Sequence, residues 1–105
     1  MLQELSKYQI KFRDLNADNQ KFYTGHITYI SETGMFIVSD IELEEDTYLE
    51  LYIFTNGLNK LPFKVEGKVT WLASKRIPRK GIFGMCIEFY HNSLASLKLF
   101  KKEIL

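Results

Sequence analysis

At 105 residues the chain has room for one domain, spanning 1–105, with a single hydrophobic core. Apolar residues make up 46% and aromatic residues 14%, too much for an intrinsically disordered chain. A formal net charge of +1 excludes the broad basic field that a general nucleic-acid binder relies on, so no DNA or RNA partner is expected.

Residues 1–7 contain Glu4 and lack the long apolar stretch of a signal peptide. No run approaches the length of a membrane span, so no membrane insertion is expected. The single cysteine, Cys86, cannot close an internal disulfide, and a reducing, cytoplasmic location is the expectation. Tyr8, Ile10 and Phe12 then alternate as a short strand, and residues 16–20 form a polar loop.

Residues 22–31 and 35–38 form a hairpin about Gly34, which is expected to supply a positive φ while Ser31 bonds the turn backbone. Glu42, Glu44, Glu45 and Asp46 make an acidic turn without EF-hand spacing or a nearby histidine, which fits a solvated loop better than a metal site. Leu49, Leu51 and Ile53 alternate with Tyr48, Glu50 and Tyr52, and Asn56-Gly57 marks the next hairpin. From 61 to 73 the alternation places Phe63, Val65, Val69, Trp71 and Ala73 on one face, so Trp71 is expected to be buried.

Lys75, Arg76, Arg79 and Lys80 surround Pro78 in a basic loop, suited to phosphates or to an acidic protein partner, or simply kept soluble by its charge. Phe83, Met85, Ile87 and Phe89 alternate with Gly84, Cys86 and Glu88 in a last strand. After an N-cap at Asn92 or Ser93 the period changes. Leu94, Leu97, Phe100 and Ile104 fall on one stripe of a C-terminal helix, with Lys98, Lys101 and Lys102 in its last turns. Together these elements predict a mainly β fold: a small antiparallel barrel of six or seven strands with a C-terminal α-helix.

Four motifs carry a family resemblance. Gly67-Lys68-Val69-Thr70-Trp71 and Gly84-Met85-Cys86-Ile87-Glu88-Phe89 follow Gly-x-Val-x-Trp and Gly-x-x-Phe-type patterns. Ser31 and Gly34 keep the spacing of an Asp/Asn-x-Ser-x-x-Gly motif in which Tyr29 takes the first place, and Lys7-Tyr8-Gln9-Ile10-Lys11 stands where an Arg-x-x-x-Arg pair belongs. The chain resembles the PilZ domain, and the stretches at 61–67 and 74–80 look like those of type IV pilus PilZ-like variants.

The resemblance implies a split β-barrel that senses cyclic di-GMP, with Lys7, Lys11, Arg13, Tyr29, Ser31 and Gly34 at the ligand-contact positions. It implies a regulatory module of motility or type IV pili with a protein partner, as a monomer or a homodimer, and no cofactor beyond the nucleotide. In that family the arginines stack on guanines and bond their edges. Lysine offers a point charge instead of a planar fork, and one lost bidentate contact costs about 1–3 kcal/mol. The degenerate motif therefore leaves a second reading open, a nucleotide-independent adaptor working through exposed aromatics such as Tyr48, Tyr52 and Phe54, with Leu72 and Leu99.

The same residues have plainer readings as well. Ser31 and Gly34 suit an ordinary hairpin, and Lys7 and Lys11 suit a solvated strand face. A barrel of the OB kind binding single strands would want basic residues interleaved with its aromatics, which this chain lacks. His26, His91 and Cys86 form no zinc spacing and no nucleophile–base pair, so packing roles are expected and an enzyme is not.

Overall fold

The computed structural model describes residues 3–4, 8–54, 62–73 and 82–90. The alternating runs become β1 (Gln3–Glu4), β2 (Gln9–Asp14), β3 (Tyr23–Ile30), β4 (Gly34–Ser39), β5 (Tyr48–Phe54), β6 (Phe63–Leu72) and β7 (Phe83–Phe89). Around the sheet the order is β3-β2-β5-β6-β7-β4, and β4 pairs back onto β3, every pairing antiparallel. Six strands thus close a barrel, which removes the exposed sheet edges that would invite aggregation. The two-residue β1 extends the ladder beyond β2, with Glu4 opposite Tyr29 and Gln3 opposite Ile30. The C-terminal helix stripe, the Asn56-Gly57 turn, Lys7 and the basic loop lie outside the described residues.

The inward side chains of every strand fill the barrel. Ile10, Phe12, Ile27, Ile37, Leu49, Leu51, Ile53, Val69 and Met85 are fully buried. Burying each large side chain contributes about 1.5–3 kcal/mol, which fixes strand register because a slip by one residue would turn the whole set outward. Ser39 is the polar exception near a barrel end, its hydroxyl donating to Thr24 O at 2.9 Å and accepting from Ile41 N at 3.3 Å.

Two bulges break the period-two pattern. In β6 the register passes from Val69↔Ile87 to Trp71↔Cys86, so Thr70 is inserted without a partner. In β3 it passes from Ile27↔Ile37 to Tyr29↔Phe36, so Thr28 is inserted in the same way. Each insertion reverses the facing of the residues beyond it on that strand. Trp71 is therefore 36% exposed and Leu72 only 6%, which corrects the expectation of a buried Trp71 and an outward Leu72. Tyr29 is likewise turned outward and Ile30 inward.

Gly34 is needed for a different reason from the one its sequence context indicates. It is the first residue of β4, and its φ is outside the left-handed range. A Cβ there would stand 2.2 Å from the backbone oxygen of Ile87, so only glycine lets β4 lie this close to β7.

Candidate functional site

The β3–β4 turn is built on Ser31. Its backbone N–H donates to Gly34 O at 2.8 Å, and its hydroxyl accepts from Gly34 N at 3.2 Å and Thr33 N at 3.3 Å. A short polar side chain that satisfies the turn's own donors is the usual reason for serine at such a position. Phe89 N donates to Thr33 O at 2.8 Å and fastens the turn to β7. Beside it opens a cleft of about 260 Å³, lined by Ser31, Thr33, Gly34, Met35, Phe36, Thr70, Cys86, Ile87 and Glu88.

Phe36, the one aromatic in the described lining, belongs to a longer row. Tyr29, Phe36, Cys86 and Trp71 stand in register across β3, β4, β7 and β6, forming one transverse row on the barrel's outer face. The rings of Phe36 and Trp71 lie 6.3 Å apart, and the Phe36 ring rests where a side chain on Gly84 would have to be. Gly84 thus allows Phe36 to lie down on the sheet. The row is half-exposed, with Tyr29 at 41%.

A turn closed by Ser31 and Gly34, a close-packed Gly67 against β7, and Gly84 beneath an aromatic place all the surviving sequence motifs in one region of one closed barrel. The family model for the PilZ domain matches residues 4–104, nearly the whole chain. The chain belongs to the PilZ domain family. PilZ domains are binding and regulatory modules. A search of curated proteins finds no match to this sequence.

Of the residues that the sequence marks in this PilZ domain, Ser31 and Gly34 line the cleft, and Tyr29 borders it through Phe36. Lys11 and Arg13 are elsewhere. Lys11 is opposite Thr24, and from Thr24 to Ser31 the strand runs roughly 20 Å. Its ammonium sits 5.7 Å from the Phe54 ring centroid. Lys7, Lys75, Arg76, Arg79 and Lys80 fall outside the described residues.

Arg13 is engaged in a network of its own. Its Nε donates to Glu50 Oε1 at 3.1 Å, its Nη1 donates to Gln20 Oε1, and its guanidinium lies 5.4 Å from the Phe22 ring centroid. Glu50 points outward from β5 yet is only 4% exposed, because Tyr52 Oη donates to it at 2.6 Å and Lys64 Nζ pairs with it at 3.3 Å. Burial alone pushes the Glu50 carboxyl up, but the hydrogen bonds from Tyr52, Arg13 and Lys64 outweigh it and hold the group below its ordinary range. The same bond to Glu50 raises both the Tyr52 phenol and the Lys64 ammonium. With Glu50 saturated by three donors, this face is a self-contained structural cluster.

Among the described residues no group of His, Cys, Asp and Glu is placed to hold a metal ion. Asp46 sits at φ 69° in a turn whose N–H donates to Val69 O, and its carboxylate lies 3.9 Å from Lys68. His26 is exposed on β3 in a second cleft of about 280 Å³ with Gln9, Thr24, Ser39, Asp40 and Ile82. His91 lies outside the described residues. Cys86 is half-buried in the aromatic row, and burial pushes its thiol up, away from nucleophilic use.

Phe36, Thr70 and Glu88 line the cleft at positions that no motif in the sequence specifies. Thr70 and Glu88 were visible as outward positions and Phe36 only as part of a strand, and it is the β4–β7 and β6–β7 pairings that bring all three to the Ser31 turn.

Proposed function

We propose that this PilZ domain is a regulatory receptor for cyclic di-GMP with a degenerate site, and that the nucleotide enters at the cleft beside Ser31 and Gly34. The observation that carries this reading is the cleft itself, where the surviving motif residues Ser31 and Gly34 meet a wall that carries Phe36. A nucleobase can stack on such a wall without the planar guanidinium that Lys7 and Lys11 cannot offer. Isothermal calorimetry with cyclic di-GMP tests it. Micromolar binding weakened roughly tenfold or more by Ser31→Ala supports the receptor, while no binding in low salt removes it.

One observation favours a second reading, a nucleotide-independent adaptor. The only described arginine is committed to Glu50, Gln20 and Phe22, while Tyr29 and Trp71 are left partly exposed on a row suited to a protein partner. A link to motility or type IV pili rests on the likeness of residues 61–67 and 74–80 to pilus-related variants, and deletion of the gene with a motility assay tests it. A cytoplasmic location stays the expectation from the sequence; among the described residues no helix is long and apolar enough to cross a membrane.

A further inference from the structure

The lining of the Ser31 cleft has a distinctive charge pattern. Among the described residues, three that carry hydroxyls (Ser31, Thr33 and Thr70), one aromatic (Phe36) and one carboxylate (Glu88) line it, and no Lys or Arg does. Glu88 stands between Gly34 and Lys68 in register, is exposed, and has no hydrogen bond or ion pair among the described residues. The neighbouring Lys68 is directed instead toward Asp46, 3.9 Å away.

These groups discriminate between the parts of a nucleotide. A phosphate in the cleft would meet the Glu88 carboxylate, with no cation among the described lining residues to offset it. A planar heterocycle meets no such repulsion: its face can lie against Phe36, and neighbouring N–H groups on its edge can bond the two oxygens of Glu88 together. Among the common bases, guanine presents two such donors side by side, N1–H and the 2-amino group. Adenine presents an acceptor beside its amino group on the same edge.

We propose that Glu88 is the base-reading residue of this site. It takes the N1–H and 2-amino edge of a guanine whose ring stacks on Phe36, and the phosphates point out of the cleft. The proposal rests on the receptor reading above and gives that reading a specificity residue on β7, where the motif position at Tyr29 has lost its acceptor.

The test is calorimetry of the full chain with cyclic di-GMP, cyclic di-IMP, whose hypoxanthine lacks the 2-amino group, and cyclic di-AMP. The wild-type protein should prefer cyclic di-GMP over cyclic di-IMP by roughly tenfold, and over cyclic di-AMP by more. Glu88→Gln and Glu88→Ala should weaken cyclic di-GMP by roughly tenfold or more and bring the guanine-to-hypoxanthine ratio close to one. Phe36→Leu should weaken all ligands alike and leave that ratio intact. Glu88 is exposed, so its variants should fold, and circular dichroism checks this. If wild type binds cyclic di-GMP and both Glu88 variants keep its affinity and ratio, the proposal is wrong and the receptor reading survives. If wild type binds none of the three, both fall together.

Discussion

Phe36 and Trp71 come from different strands, yet their rings meet 6.3 Å apart above Cys86, the residue that pairs with each of them. That contact exists because Thr70 is inserted into β6 and turns the indole out of the core. The consequence for polar substitution is direct. Trp71→Lys should cost only about 1 kcal/mol, whereas Leu72→Lys should cost over about 4 kcal/mol or prevent folding. Urea denaturation of the two variants checks the order, which simple alternation would reverse.

The barrel was legible in the sequence because most strands keep one face apolar, and Val65, Leu51 and Ile53 declare their facing within a few residues of themselves. Trp71 was not legible, since a bulge is set by what the partner strand needs and Thr70 carries no local mark of it. Ser31 and Gly34 were legible as a turn because their chemistry is local. Glu88 was not, since its place in the cleft depends on lying opposite Gly34, a residue far away in the chain. Glu50 looked like any outward acid until Tyr52 on its own strand and Arg13 and Lys64 on the two neighbouring strands closed over it.

Acid sensitivity should trace to Glu50. Its carboxyl titrates below its ordinary value when folded, so its contribution is complete above that value and is lost as the pH falls through the lowered one. Glu50→Gln should lower stability near neutrality by about 1–2 kcal/mol, a modest amount because Arg13 and Lys64 keep much of their hydration. It should also flatten the fall in stability below pH 4.5, the ordinary value for this group. Denaturation curves between neutral and acid pH for both proteins test this, and parallel acid limbs would contradict it.

Gly34→Ala should destabilise the barrel by about 1–3 kcal/mol or more, because the added methyl meets the Ile87 carbonyl rather than a movable side chain. Ser31→Ala should cost about 1 kcal/mol through its lost turn bonds. Thermal melts of the two variants should preserve that order.

Cys86 should react slowly with thiol reagents at neutral pH, since burial disfavours its thiolate and the aromatic rings flank it. Phe36→Ala should speed its labelling several-fold by opening the cleft, as a colorimetric thiol assay would record. An unchanged rate in that variant would mean that Phe36 does not shield the thiol.

Whether this PilZ domain holds a nucleotide beside the Ser31 turn can be read from an amide NMR titration with cyclic di-GMP. Saturable shifts should centre on Ser31, Thr33, Gly34, Phe36, Thr70, Cys86 and Glu88, with Lys11, Arg13, Glu50 and Tyr52 nearly still. Shifts centred on Lys11, Arg13 and Tyr52 with a silent Ser31 turn, or no shifts at all, would contradict it.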